Sequence, residues 1–300
     1  MRLKRIVRLL KETVTEWNED NVPMFAAALA YYTIFSLAPL LLIAIAIAGF
    51  FLGEEAARGE IVRQIQDLIG REGAEAIQTM IQNTQKPGSG GILATVAGIV
   101  LLFLGASGVF GQLQTALNAI WEVKPKPGRS IKSFLQSRFL SFAMVLVIGF
   151  LLLVSLVLST VLAAIGTFFN NLLPGFSMLG GVLNFGISFA VITLLFAALY
   201  KFLPDVEIPW KNLWVGAGVT SLLFTIGKAL IGLYLGSSSV SSTYGAAGSI
   251  VVLLIWVFYS AQILLFGAEF TQVYSKYRGT PIRPSKHATQ IVKEPVQPNS

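Results

Sequence analysis

Five stretches of this chain carry no charged residue: Asn21–Gly53, Pro87–Trp121, Phe139–Tyr200, Asn212–Gly227 and Ala229–Ala268. A water-facing surface cannot be built from such runs, so lipid must be the solvent for much of the chain. A helix needs about 20 predominantly apolar residues to cross the hydrocarbon core. The runs predict six crossings: Phe25–Phe51, Ile92–Leu113, Phe139–Ile165, Gly180–Tyr200, Leu213–Leu235 and Ser249–Phe270. The third and fourth share one run too long for a single helix, and Asn170-Asn171 with Pro174-Gly175 marks the turn between them. The segment Gly236–Gly245 separates the fifth from the sixth.

The basic residues fall in alternate gaps. Arg2, Lys4, Arg5, Arg8 and Lys11 precede the first crossing; Lys124, Lys126, Arg129, Lys132 and Arg138 lie between the second and third. Lys201 and Lys211 lie between the fourth and fifth, and Lys276, Arg278, Arg283, Lys286 and Lys293 follow the sixth. Those seventeen sit on one side, against Arg58, Arg63, Arg71 and Lys86 on the other. The positive-inside rule therefore predicts six spans with both termini cytoplasmic. Lys228 is left over, inside a span.

The expected organisation is a cytoplasmic amphipathic helix over 1–22, a six-span membrane domain over 23–278 and a disordered cytoplasmic tail over 279–300. Arg2–Trp17 places Leu3, Ile6, Val7, Leu10 and Val14 on one helical face, which predicts a helix lying along the membrane surface. The first apolar segment is too long for the core of a cleaved signal peptide. Asp20 or Asn21 is expected to cap the first span, with Pro23 in its first turn. Ile61, Ile65, Leu68 and Ile69 recur at helical spacing in a helical outer loop near 54–86. The tail from Pro281 is polar and proline-bearing, the composition of a disordered segment.

Composition narrows the chemistry. The chain has no cysteine, which excludes disulfides, thiolate metal sites and thiol catalysis. The net charge of +7 would suit nucleic acid. The basic residues, however, flank apolar segments, where anionic lipid headgroups are the simpler partner.

Four stretches resemble the YihY/BrkB family of bacterial inner-membrane proteins, once labelled ribonuclease BN. They are Ala26-Ala27-Ala28-Leu29-Ala30-Tyr31-Tyr32-Thr33-Ile34-Phe35-Ser36-Leu37-Ala38-Pro39, then Leu117-Asn118-Ala119-Ile120-Trp121. Next come Leu199-Tyr200-Lys201-Phe202-Leu203-Pro204-Asp205 with Val206-Glu207-Ile208-Pro209-Trp210-Lys211. Last is Tyr244-Gly245-Ala246-Ala247-Gly248, leading to Trp256 and Phe266-Gly267-Ala268-Glu269. The resemblance spans about residues 15–278. It implies an all-α, six-helix membrane fold and links to envelope lipid export, and it assigns no biochemical activity.

The nuclease label finds no support in the residues. Phosphodiester hydrolysis needs a metal clamp, an acid–base pair or both. The single histidine, His287, lies in the tail, and Asp205 is the only aspartate beyond Asp67. Glu122, Glu207 and Glu269 are scattered, and no metal-ligand spacing occurs. Gly105, Gly108 and Gly111 lack the preceding strand and following lysine of a phosphate loop. Like Gly232 with Gly236, and Ala26 with Ala30, they read as small residues for close helix packing.

Polar residues inside the spans are the candidate sites. Lys228 lies about 10 Å from the outer end of span five, where a lysine either contacts an anion or snorkels to the headgroups. Ser241, Ser242 and Tyr244 could add hydrogen bonds, and the same segment also reads as a linker. Tyr31, Tyr32, Ser36 and Pro39 give span one a polar, kinkable middle. Gln112, Gln114, Asn118 and Gln262 suit either a polar interior or interhelical hydrogen bonds. Glu269 ends span six, where the helix dipole disfavours a carboxylate. It would need a basic partner on loop 2–3 or the N-terminal helix, unless it relays protons or cations. Asp205 would cap a turn or pair with Lys201.

The sequence reading is thus a transporter or flippase-like protein for an anionic amphipathic solute or envelope lipid. Its candidate solute-binding residues are Lys228, Tyr31, Tyr32, Ser36, Pro39, Ser241, Ser242, Tyr244 and Gln262, with Asp205 and Glu269 as ion-pair or relay groups. No ATP-binding motif is present, so transport would be passive or gradient-driven. The alternative is a non-catalytic scaffold in envelope assembly. Expected partners are membrane lipids, including anionic headgroups at the cytoplasmic face, together with a second copy of the chain or an envelope protein. No cofactor, metal, nucleic acid or enzymatic activity is expected.

Overall fold

The computed structural model describes residues 2–59, 61–63, 66, 74, 77–79, 108–126, 176–237 and 248–291. Helix α1 (Arg2–Glu19) leads into α2 (Val22–Leu52). Residues 108–120 form α3, followed by strand β1 (Val123–Pro125). Then come α4 (Phe176–Phe202), β2 (Val206–Glu207), α5 (Trp210–Ser237) and α6 (Gly248–Tyr277). Strands β3 (Arg283–Pro284) and β4 (Ala288–Gln290) follow.

Three described helices, α4, α5 and α6, are long and apolar enough to cross a membrane, and the shorter apolar stretch Val22–Leu37 lies within α2. The expected crossing Phe139–Ile165 lies outside the described residues, as does Ile92–Leu113 apart from 108–113. α2 is helical through Pro39. Asn21 occupies the position before α2 but makes no side-chain cap; it turns the chain in the left-handed region, φ 52°, with Pro23 in the first turn beyond it. Residues 54–59 are helical, and Arg58 pairs with Glu54 one turn earlier at 3.1 Å.

α6 is the central element: α1, α2 and α5 all pack on it, and α4 packs on α5. The main core lies at the end of the bundle that carries α1 and the four short strands. Leu117, Ile120, Tyr200, Leu203, Leu213 and Leu265 are fully buried there. Lipid tails are as apolar as these side chains, so burial alone cannot join the helices; close packing and hydrogen bonds must.

The α5–α6 seam supplies both. Gly216 of α5 leaves room only for Thr271 of α6, and Gly267 of α6 leaves room only for Thr220 of α5 and the Tyr200 hydroxyl. Each threonine hydroxyl donates to the glycine carbonyl one turn earlier on its own helix, Thr220 to Gly216 at 2.8 Å and Thr271 to Gly267 at 2.7 Å. Both helices thus use Gly-x-x-x-Thr, with each threonine filling the other's glycine notch.

The tail differs from its expected disorder through residue 291. Gly279, at φ 68°, ends α6, and Thr280 N–H closes onto the Ser275 carbonyl at 3.1 Å. The chain then runs beneath two loops. β3 pairs antiparallel with β2, Glu207 opposite Arg283, and β4 pairs antiparallel with β1, Val123 opposite Gln290. Composition missed this because the pairing partners come from distant loops. The described parts of the segments assigned to one side by their basic residues therefore meet at one end of the bundle, here called the terminal pole.

Candidate functional site at the terminal pole

Glu269 is the most conspicuous polar group of the pole. It lies on α6 and is 0% exposed. Neither carboxyl oxygen has a hydrogen-bond partner of good geometry among the described residues. The charged groups acting on it are Asp20 and Glu16, from the end of α1, and Lys276 two turns on along α6. The left-handed turn at Asn21 brings the end of α1 to this point of α6. Among the described residues, two acids and a lysine from its own helix act on it, while Arg129, Lys132 and Arg138 of loop 2–3 lie outside the described residues. Lys276 reaches both Glu16 and Glu122 at 3.8 Å, long contacts on a partly exposed side chain, which add little stability.

Around Glu269 the pole is fixed by hydrogen bonds between segments. Asn118 Nδ2 donates to Asp205 Oδ2 at 3.0 Å, and Asp205 N–H donates to Asn118 Oδ1 at 2.8 Å. Both amide atoms of one side chain therefore hold the loop after α4. Lys201 donates to the Ile208 carbonyl at 2.8 Å, with its ammonium 5.3 Å from the Trp210 ring centre. Asn212 donates to Ser275 and Thr280 hydroxyls at 3.0 and 2.7 Å, tying the start of α5 to the end of α6. Tyr200 donates to the Leu264 carbonyl at 2.6 Å and lies 3.1 Å from the Thr220 hydroxyl. A groove of about 480 Å³ opens beside this network, lined by Lys201, Glu207, Trp210, Thr280 and Arg283 among others.

Residues 13–292 match the family described as Virulence factor BrkB. The chain belongs to the BrkB family. Among curated relatives of this BrkB-family chain is a UPF0761 membrane protein of Pseudomonas paraeruginosa, 28% identical over 256 residues, covering 83% of this chain and 58% of the relative. A UPF0761 membrane protein of Acinetobacter baylyi is 26% identical over 266 residues, covering 88% and 61%. One of Teredinibacter turnerae is 28% identical over 278 residues, covering 91% and 61%. The chain thus spans about three fifths of the length of the curated relatives it matches. No solved structure matches the chain.

The candidate solute residues of this BrkB-family member are spread over different helices. Lys228 is half-buried on α5, beside Gly227, which packs closely on Tyr259 and Ile263 of α6. Tyr31 and Tyr32 are on α2, 60% and 43% exposed, while Ser36 on the same helix is buried. Gly108 of α3 sits against Tyr32 and Ser36. Gln262 is half-buried on α6, the helix on which α2 and α5 both pack. Ser241, Ser242 and Tyr244 lie outside the described residues, and so does the side chain of Pro39. Among the described residues, no group of three or more His, Cys, Asp or Glu is placed to hold a metal ion.

The reciprocal Gly–Thr seam and the Asn118–Asp205 clamp were not anticipated. The identical Gly-x-x-x-Thr spacing in two neighbouring spans was a readable signal for the first. Nothing in the sequence alone pairs positions 118 and 205.

Proposed function

We propose that this is a bacterial inner-membrane transporter, flippase-like in action, for an anionic amphipathic solute such as an envelope lipid. In this reading an ion gradient drives transport, both termini are cytoplasmic, and the protein is not an enzyme. The observation that carries it is the wholly buried Glu269 in a membrane helix, with acids for neighbours. Burying a carboxylate beside other acids is costly, and ionisable groups inside spans typically mark ion pathways and proton relays. Glu269 would be the group that takes up and releases the coupling ion. Lys228, half-buried in the apolar stretch of α5, would attract the anionic headgroup.

The test is flux in vesicles holding the purified protein and a fluorescent anionic lipid, with an imposed proton gradient. Wild type should move lipid between leaflets faster than protein-free vesicles. Glu269→Gln should abolish the response to the gradient. Flux equal to that of empty vesicles would overturn the reading.

One observation favours the scaffold alternative. The α5–α6 seam is closed by the two glycine notches, so no solute passes between these helices near the pole. A stable stoichiometric partner, recovered from a protein that gives no flux, would support that reading instead.

A further inference from the structure

A cavity of about 590 Å³ opens between α1 and the end of α6, lined by Arg5, Ile6, Leu9, Tyr274, Tyr277 and Arg278. Among the described residues its charged lining is two arginines, with no acid. Each guanidinium rests near a tyrosine ring. The Arg5 group lies 4.4 Å from the Tyr277 ring centre and the Arg278 group 5.4 Å from that of Tyr274. Arg278 Nε also donates to the Tyr274 hydroxyl at 2.9 Å. Neither arginine is in an ion pair among the described residues. Stacking on a ring holds a guanidinium while leaving most of its N–H fork free, the arrangement that suits bidentate binding of phosphate. The C-terminal end of α6 adds partial negative charge, which two full positive charges outweigh.

The surroundings say where the phosphate would come from. α1 packs on α6, and among its described residues Leu9 and Thr13 are buried. The apolar face read from the sequence is the uncovered one: Ile6, Val7, Leu10 and Val14 are all exposed. A helix with a bare apolar stripe and a cationic flank lies in the interface between headgroups and acyl chains. Ile6 belongs both to the stripe and to the cavity wall. The two-arginine cavity is therefore adjacent to the level at which acyl chains would end and phosphates begin.

We infer that the Arg5–Arg278 cavity binds the phosphate headgroup of an anionic membrane lipid, whose acyl chains run along the Ile6–Val7–Leu10 face of α1. This is a resident lipid site and stands whether or not the protein transports.

The test is native mass spectrometry of the full chain in neutral detergent with added phosphatidylglycerol, phosphatidylcholine or inorganic phosphate. Wild type should retain phosphatidylglycerol in preference to phosphatidylcholine, and millimolar inorganic phosphate should not displace it. Arg5→Gln with Arg278→Gln should weaken retention about tenfold or more, since each lost charge-assisted bond is large on that scale. Lys4→Gln with Arg8→Gln removes the same charge from α1 outside the cavity and should leave retention within about twofold. Equal losses in the two double variants would overturn the site in favour of a general basic surface. Displacement by inorganic phosphate would reassign the cavity to a soluble anion and overturn the lipid. Should the first double variant fail to fold, the wild-type preference still decides: no selectivity for phosphatidylglycerol ends the proposal.

Discussion

The two halves of α5 are built on opposite terms. In the half nearest the pole, Leu213, Ala217, Thr220 and Ser221 are buried, and neighbours are fixed on several sides by Asn212, Gly216 and Thr220. In the far half, Ile226, Leu230, Leu233 and Tyr234 are exposed, while Gly227 and Ile231 are buried and Gly227 meets Tyr259 and Ile263 of α6. The near half carries hydroxyls and amides that are satisfied by protein. The far half carries Lys228. One helix thus joins a fastened section to a more exposed one that carries Lys228.

The sharpest way to break this contrast is to fill a glycine notch. Gly267→Leu should prevent folding, because even a Cβ there overlaps Thr220 and Tyr200; overpacking costs about 3 kcal/mol or more when backbone has to move. Loss of monodisperse protein on size exclusion would show it, whereas Leu233→Ala in the far half should purify normally. Asn118→Ala comes next. It removes two hydrogen bonds to Asp205 and should cost about 2 kcal/mol, one of them being charge-assisted. A lower unfolding temperature in detergent is the readout, with the loop after α4 becoming protease-sensitive.

Tyr200→Phe should be milder, about 1 kcal/mol, because Thr220 keeps its bond to the Gly216 carbonyl. The smallest stability effect belongs to Lys228→Ala, which should leave unfolding within about 0.5 kcal/mol of wild type. If the proposed function holds, the same substitution slows lipid movement in vesicles. A large loss of stability from Lys228→Ala would instead mean that the far half of α5 is as fastened as the near half.

What could be read in advance follows the same division. Membrane character and the positions of α2, α4, α5 and α6 were legible, because lipid solvent demands long uncharged runs and little else tolerates them. Glu269 was visible as an oddity, a carboxylate at the wrong end of a helix. Its actual neighbours were not. Asp20 reaches it only because Asn21 adopts a left-handed turn, which no periodicity encodes. Lys228 was found by exclusion from the charge count. Arg5 and Arg278 were hidden by that same count, which treats every basic residue at the pole as an anchor. Their distinction is the tyrosine beneath each, and that emerges only once α1 lies against α6. The amphipathic face of α1 was identified correctly as a stripe, yet the protein packs on the other face and leaves the stripe bare.

The pairing of β4 with β1 also orders events in time. Thr289 and Lys124 lie 165 positions apart in the chain, with α4, α5 and α6 between them. During synthesis β1 emerges early and has to wait, its edge unpaired, until those helices have been made and threaded into the bilayer. Only when residues 283–291 leave the ribosome can the two strand pairs form. The two strand pairs of the pole therefore close only after α4, α5 and α6 have been made, so their closure reports that these three helices are in place.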